Sequence, residues 1–391
     1  MDRDELAAWL RLLETPGVGR ESARRLLAAF GSPQAVFDAA PGEWRSVVPS
    51  AVAQALAEVP ADAPALLDAT WRWLQQPSDG PLDSPPHAVV CLGDADYPAL
   101  WLQMADPPLM VYAKGRLDTL RTPAIAIVGS RNPTRQGLDN ARAFAQSLSQ
   151  HGLTVVSGLA LGVDGAAHDG ALAGPGRTVA LVGTGLDRVY PRHHLALAQR
   201  IAEQGLLLSE YPLGTSPRPA HFPQRNRLIA GLGLGTLVIE ATLQSGSLIT
   251  ARLAMECGRE VLAIPGSIHA PQSRGCHALI KQGAKLVECA QDVLEELQWP
   301  APGGDGRVAA ASVPAAPPST AAPDDDNNDS DGSGGDDPLL AALGHDPVGL
   351  EALAQRTGWS PQVLNVKLLT LELEGRVARL PGQLFQRIAH A

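Results

Sequence analysis

Short apolar runs, each closed by glycine, proline or a small polar residue, recur through the middle of the chain. Their length predicts buried strands, and the stretches between them have the spacing of amphipathic helices, as in residues 137–150. A regular alternation of strand and helix predicts a parallel sheet covered by helices on both faces. The runs are TPAIAIVGS, GLTVVSGLA, RTVALVGTG, GLLLSEYP, GTLVIEA and EVLAIPG. Because such sheets bind ligands beyond the carboxyl ends of their strands, the glycine-rich ends of these runs are candidate sites.

Two polar breaks, residues 75–87 and 301–337, divide the 391-residue chain into three folded segments. The second break, residues 301–337, has no apolar side chain larger than valine and carries eight Asp against one Arg, a net charge of −7. Such a segment cannot bury enough surface to offset the entropy of ordering it, so we predict disorder there. The predicted division is a helical domain at 1–74, an α/β domain at 88–298, a disordered acidic linker at 299–337 and a winged-helix domain at 338–391.

Charge is distributed unevenly along the chain. The net formal charge is −10, yet residues 121–290 carry 16 basic and 10 acidic side chains, a net charge of +6. Fourteen of these 16 cations are arginine, whose planar guanidinium suits bidentate contacts with phosphate. A basic domain within an acidic protein predicts a ligand that carries phosphate.

The cysteines and the hydropathy pattern predict a cytoplasmic protein. Cys91, Cys257, Cys276 and Cys289 form no CxxC pair, which favours reduced thiols over a disulfide framework or a zinc site. No apolar run reaches the roughly 18–20 residues that a bilayer span needs, and the charged N-terminus does not resemble a signal peptide. We therefore expect no membrane contact and no metal.

The stretch IAIVGSRNPTRQG, residues 125–137, has the features of a phosphate-binding loop. An apolar strand ends in Gly129 and Ser130, Arg131 follows, and a helix is predicted to start a few residues later. Backbone N–H groups and a helix N-terminus bind anions at such turns. The loop is not GxGxxG, and no GK[ST] occurs in the chain, so we predict no nucleotide cofactor. An ordinary turn with a solvated arginine remains the alternative.

The stretch PRPAHFPQRNRLIAGL, residues 217–232, places cations around an aromatic ring. Its candidate DNA-binding residues are Arg218, Phe222, Arg225, Asn226 and Arg227. Arginines suit the phosphates of a single strand, and a stacked base contributes roughly 1–3 kcal/mol. In the alternative, Phe222 is buried and one of the arginines pairs with Glu210 or Glu240.

Two further glycine-rich strand ends have polar side chains beside them. Ser245 and Ser247 precede a helix, where they can cap its N-terminus or contact a phosphate. Asp164, His168 and Asp169 form an acid/base or metal-like group, but we favour a structural role, with Asp164 capping the following helix.

Both ends of the chain contain DNA-binding patterns. Residues 15–31 resemble a helix-hairpin-helix turn, for which an adapter role without DNA contact is favoured. Residues 338–391 show a helix-turn-helix pattern followed by a wing, but Lys367 is the only cation of the second helix. This favours a protein contact or weak DNA binding over sequence-specific recognition.

Several blocks, in order, resemble the DNA-processing protein A (DprA, also Smf) family over residues 88–298. They are YPALWLQMADPPLMVYAKG, IVGSRNPTRQG, VVSGLALGVDGAAHDGAL, YPLGTSPRPAHFPQRNRLIAGL, QSGSLITARLAMECGREVLAIPG and HALIKQGAKLV. The resemblance implies an α/β fold with an extended Rossmann-like parallel sheet, between an N-terminal SAM-like helical domain and a C-terminal winged helix. It implies a non-enzymatic protein of natural transformation that binds single-stranded DNA, protects it and helps to load the RecA recombinase. It also implies a homodimer formed through the Rossmann-like domain.

The resemblance assigns roles to particular residues of the two central stretches. Arg131, with Gly129 and Ser130, is expected to contact the DNA backbone, and Phe222 to contact a base. Many family members have a basic residue where this chain has Pro219, so the adjacent Arg218 is the candidate replacement. The block RVYPRHHLAL departs from the family's usual acidic-Asn pair.

Three alternatives stay open on the sequence. One is a Rossmann-like nucleotide or N-glycoside hydrolase, whose PGGxGTxxE motif is echoed in part by Gly235, Thr236 and Glu240. The second is a helix-turn-helix regulator, and the third is an interaction scaffold without nucleic-acid affinity. Detectable turnover of a nucleoside monophosphate, or sequence-specific duplex binding by the tail, would favour the first or the second.

Overall fold

The computed structural model describes residues 1–76, 86–299, 337–344, 347–380 and 382–388. The body of the predicted acidic linker, residues 300–336, lies outside this range, so its disorder stays a prediction. Contacts group the chain into two units, Met1–Gln298 and Trp299–Ala391, which are described separately. No helix of the described residues has both the length and the hydropathy that crossing a bilayer requires.

The first 76 residues are helical, as their apolar spacing predicts. In α1, Asp2 accepts a hydrogen bond from the Glu5 amide at 2.8 Å, while Leu6 and Leu10 are buried one turn apart. The six helices are α1 (Arg3–Glu14), α2 (Arg20–Phe30), α3 (Pro33–Asp38), α4 (Pro41–Val47), α5 (Ser50–Leu56) and α6 (Ala63–Leu74). These helices share a hydrophobic core with the sheet that follows them. At this junction the Trp73 ring stacks on the His87 ring, with 4.2 Å between the ring centroids.

A nine-stranded sheet forms the middle of the chain, in the order β1-β2-β6-β5-β4-β3-β7-β8-β9. Its strands are β1 (His87–Cys91), β2 (Met110–Gly115), β3 (Ala124–Val128), β4 (Thr154–Ser157), β5 (Thr178–Leu181), β6 (Leu206–Ser209), β7 (Gly235–Val238), β8 (Glu260–Ala263) and β9 (Lys285–Leu286). The predicted parallel sheet is confirmed for β3 to β9, and β1 and β2 extend it as an antiparallel edge.

Helices connect the parallel strands and bury their apolar faces against the sheet. They are α7 (Arg135–Gln150), α8 (Val163–Leu172), α9 (Leu195–Gln204), α10 (His221–Leu232), α11 (Gly246–Glu256) and α12 (Arg274–Lys281), and α13 (Ala290–Glu296) follows the last strand. The chain moves outward from β3 through β4, β5 and β6, then returns to place β7 on the other side of β3. Because successive crossovers are right-handed, this return switches the helices to the opposite face. A ligand is therefore expected in the crevice beyond the carboxyl ends of the neighbouring strands β3 and β7.

The C-terminal unit is a winged helix with its own core. Its elements are α14 (Pro338–Leu343), β10 (Val348–Gly349), α15 (Leu350–Thr357), α16 (Pro361–Leu373), β11 (Val377–Leu380) and β12 (Leu384–Arg387). Leu353, Leu364 and Leu368 pack beneath the three-stranded antiparallel sheet. The helix-turn-helix pattern and the predicted wing are both present.

Candidate nucleic-acid interface

A cleft of about 610 Å³ opens at the carboxyl end of the sheet, between the loops that follow β3 and β7. Side chains of α10 and the first turns of α11 complete its walls. The cleft lies at the point where the strand order reverses. Seven of the ten predicted DNA-binding residues line it: Gly129, Ser130, Arg131, Arg225, Asn226, Ser245 and Ser247.

The loop after β3 is held in place by Glu240, which follows β7. The Ser130 amide donates to the Glu240 carbonyl at 2.7 Å. The Thr134 amide and hydroxyl donate to the two oxygens of the Glu240 carboxylate at 2.8 and 2.6 Å. Thr134 also caps α7, because its hydroxyl accepts a hydrogen bond from the Gly137 amide at 3.0 Å. The backbone is thus fixed with Arg131 exposed at the rim of the cleft.

Gly129 is required by close packing under this loop. A Cβ atom there would lie 2.7 Å from a methyl group of Val163, at the start of α8. Since real side chains almost never approach so closely, any larger residue would displace the loop. The glycine of the Gly-Ser-Arg stretch therefore allows the loop to pack closely on Val163.

Phe222 lies outside the cleft but adjoins its rim. The Arg131 guanidinium lies over the Phe222 ring at 5.4 Å from the ring centroid, within cation–π range. The ring is half-buried beside Gly183, and its other neighbour is Tyr190, at a centroid distance of 5.5 Å. The cation over the half-buried Phe222 ring is thus Arg131, 91 positions away in the sequence, and not one of the arginines of residues 217–232.

Arg225 is a nearly buried cation at the floor of the cleft. It is 4% exposed, it donates from Nη1 to the carbonyl oxygen of Leu181, and its Nε has no hydrogen-bond partner. Burial lowers the pKa of Arg225 to about 10, opposed in part by the charge of Asp164. No carboxylate in the described ranges forms a salt bridge with it. A buried charge without an ion-pair partner, aimed at an open cleft, favours an anionic ligand.

Arg227 has a different environment from the one predicted for it. Its Nη2 contacts both oxygens of Glu210 at 2.5 Å, and its Nε lies 3.4 Å from Asp106. The side chain is 10% exposed and does not line the cleft. The alternative of pairing with Glu210 therefore applies to Arg227, and its guanidinium is occupied by the scaffold.

The remaining predicted residues divide between the cleft and its surroundings. Asn226 donates from Nδ2 to the Gly246 carbonyl at 3.4 Å, which joins α10 to the start of α11. Ser245 caps α11 by accepting from the Ser247 amide at 3.3 Å, and the two hydroxyls lie 2.7 Å apart. Arg218 is exposed in the loop before α10, away from the cleft lining, so its DNA contact stays a prediction.

Comparison with known families agrees with this arrangement. A family model described as DNA recombination-mediator protein A matches residues 88–298, which is more than half of the chain. The chain belongs to the DNA recombination-mediator protein A family. Models for a DprA-like N-terminal HHH domain and a DprA winged-helix domain match residues 3–62 and 314–383 of this family member.

Named relatives resemble this member of the DNA recombination-mediator family along much of its length. It is 38% identical to Protein Smf of Escherichia coli over 317 residues, 81% of this chain and 79% of that protein. It is 48% identical to the DNA processing protein DprA of Streptococcus pneumoniae over 206 residues, 53% of this chain and 73% of that protein. The X-ray structure of DNA processing protein A from Streptococcus pneumoniae superposes with a TM-score of 0.64 at 37% identity, over 74% of this chain and 97% of that one.

In this family member, Asp164 and His168 are buried and make contacts within the fold. Asp164 lies inside α8, so the predicted capping of that helix is wrong; its carboxylate instead accepts hydrogen bonds from the Gly158 and Ala160 amides at 3.1 and 3.3 Å. His168 bonds the Thr178 hydroxyl at 2.7 Å, and burial lowers its pKa to about 3, which keeps it neutral. Within the described ranges, no three His, Cys, Asp or Glu side chains form a metal-like cluster.

Further polar residues at the cleft were not among the predicted DNA-binding residues. Asn132, Thr242 and Gln272 line the cleft, and Glu240 holds the loop after β3. Thr242 and Glu240 follow a strand end, a position that could have identified them. Gln272 gave no such sign, because the chain brings it to the cleft only after β8.

Several cations of the terminal segments are engaged by neighbouring side chains. Arg20 and Arg24 of the helix-hairpin-helix pattern contact Asp106 at 2.7 and 2.5 Å. In the winged helix, Lys367 lies over the Trp359 ring at 4.5 Å from its centroid. These contacts fit the favoured adapter role of the N-terminal segment.

Proposed function

We propose that the cleft between β3 and β7 binds single-stranded DNA. The observation that carries the proposal is the convergence of the exposed Arg131 and the unpaired, buried Arg225 on one cleft, with Phe222 at its rim. The sequence lacks the loops typical of nucleotide cofactors, while cations beside an aromatic ring suit a single strand.

The binding mechanism follows from the chemistry of these groups. Arg131 and Arg225 neutralise phosphates, and Phe222 stacks a base. The start of α11 adds the positive end of a helix dipole to the cleft. Since these contacts address the backbone and the ring faces of the bases, binding tolerates sequence changes and weakens as salt rises.

We further propose that the protein acts in natural transformation, where it protects incoming single strands and helps to load RecA. This role rests on family membership. A homodimer through the Rossmann-like domain fits the exposed edge strand β9, whose Lys285 and Leu286 are both solvent-accessible. A dimer would place two clefts on one strand and raise affinity through effective concentration.

The test is a fluorescence-anisotropy titration of labelled oligo-dT at several salt concentrations. The wild type is compared with Arg131→Ala and with the control Arg252→Ala, which removes an exposed arginine of α11 outside the cleft. Arg131→Ala should weaken binding and make the slope of log K against log salt shallower by about 0.7, the value for one lost phosphate contact on a single strand. Arg252→Ala should behave like the wild type.

Other results would move the site or change the function. Equal binding by Arg131→Ala and the wild type would contradict the cleft and direct attention to the terminal segments. No binding by the wild type, together with turnover of a nucleoside monophosphate, would favour the hydrolase alternative. Against that alternative, both carboxylate oxygens of Glu240 are engaged by Thr134.

A further inference from the structure

An exposed aromatic side chain lies next to Phe222, near the rim of the cleft. Tyr190 lies in the loop between β5 and α9 and is 47% exposed, although its ring is large and mainly apolar. The ring lies 5.5 Å from that of Phe222 at an interplanar angle of 38°. The Arg131 guanidinium also lies over the Phe222 ring, at 5.4 Å from its centroid. Phe222 is therefore a common neighbour of Arg131 and Tyr190.

The charges around Tyr190 are favourable to an anionic chain. Arg192 follows it in the same loop, is exposed, and has no salt-bridge partner among the described residues. Asp187 is the one carboxylate of this loop, and it accepts the Gly214 amide at 2.8 Å while lying 3.6 Å from Arg188. Its charge is thereby offset within the loop. Tyr190 thus has two exposed arginines in its neighbourhood, Arg131 through their shared neighbour Phe222 and Arg192 two positions on in the same loop.

This composition is the one that single-strand binding surfaces use. Arginines follow the phosphates, and exposed rings stack bases of any sequence because every base has a flat face. Leu195, the first residue of α9, adds an exposed apolar side chain next to this loop, at 53% exposure. Tyr190 and Leu195 therefore present apolar surface to solvent close in sequence to the exposed Arg192.

We propose that the DNA strand leaves the cleft across Phe222 and continues over Tyr190, which stacks a second base, while Arg192 contacts the adjacent phosphate. The proposal rests on the function proposed above and extends its site to a loop that the cleft does not include. The ligand is the same single strand, so the binding site becomes longer by about one nucleotide.

The test uses oligo-dT of increasing length, from about 4 to about 16 nucleotides, a range typical of single-strand sites. Tyr190→Ala should weaken binding of the longer oligonucleotides by about 5- to 150-fold, the factor that corresponds to one stacked base, without changing the salt slope. The conservative control Tyr190→Phe should retain the wild-type affinity, because the ring face remains. Arg192→Ala should make the salt slope shallower by about 0.7, since it removes a charge.

A second measurement separates contact from an indirect structural effect. Photocross-linking of the wild type to oligonucleotides that carry 5-iodo-deoxyuridine should give an adduct in the tryptic peptide Val189–Arg192. The proposal is overturned if Tyr190→Ala binds every length like the wild type while Arg131→Ala binds weakly, or if the adducts lie elsewhere. If the wild type binds no single strand at all, the proposed function itself fails, and this extension fails with it.

Discussion

Asp106 connects the N-terminal helices to the helix that forms one wall of the cleft. Its carboxylate lies 2.5 Å from Arg24 and 2.7 Å from Arg20, both on α2, and 3.4 Å from Arg227 on α10. Glu210 extends the cluster by pairing with Arg227. We predict that Asp106→Ala destabilises the protein well beyond the loss of an ordinary surface pair.

The magnitude follows from the exposure of the partners. Breaking a fully buried pair costs about 3–5 kcal/mol, while an exposed pair contributes about 0.2–1 kcal/mol. The Asp106 side chain is 34% exposed, with Arg24 at 25% and Arg227 at 10%, so its environment lies between these limits. Removing the carboxylate would also leave three guanidinium groups close together. We expect a loss of about 2–3 kcal/mol in the free energy of unfolding.

The assay is urea unfolding of the full chain, followed by circular dichroism. Glu21→Ala is the matched control, because Glu21 pairs with Arg25 on the same helix in an exposed setting. The Glu21 side chain is 72% exposed and the Arg25 side chain 60%. That variant should lose only about 0.3–0.5 kcal/mol, as expected for an exposed i,i+4 pair. The reasoning is refuted if Asp106→Ala costs no more than Glu21→Ala.

The pH dependence provides a second check on Asp106. Burial alone would raise the pKa of this carboxyl group, but Arg24, Arg227 and Arg20 outweigh burial and lower the pKa below its ordinary value of 3.8. A carboxyl whose pKa is lowered by folding stabilises the protein above its unfolded pKa, and this stabilisation is lost as pH falls through the folded pKa. The difference between the wild type and Asp106→Ala should therefore be full at neutral pH and shrink below about pH 4.

Two further predictions concern the cleft and the acidic segment. Gly158→Ala would place a Cβ atom against the Arg225 guanidinium, so the DNA affinity measured by anisotropy should fall. In the control Gly42→Ala, the new Cβ atom meets nothing within 4 Å, so the DNA affinity should equal that of the wild type. Deleting residues 301–337 removes a net charge of −7, so it should tighten DNA binding at low salt if these carboxylates compete for the basic domain; affinity equal to that of the wild type would contradict this competition.

The sequence was sufficient to predict the fold class and the place of the candidate cleft. Six apolar runs separated by helical patterns implied the parallel sheet, and a sheet of that kind has its ligands at the carboxyl ends of the strands. Ser130 and Ser245 lie in strand-to-helix loops that local residue types identify. Both line the observed cleft. These features depend on near neighbours in the chain, which is why pattern and turn chemistry reveal them.

Only the tertiary structure decided which arginine faces the cleft and which belongs to the scaffold. Arg225 and Arg227 are two residues apart on α10, and helical geometry turns side chains at this spacing to roughly opposite faces. Which face meets the cleft depends on the packing of α10 on the sheet, and the partner of Arg227, Asp106, is 121 positions away. Glu240 likewise holds Thr134 across 106 positions. Such contacts between distant segments are formed by the fold, and no local pattern encodes them.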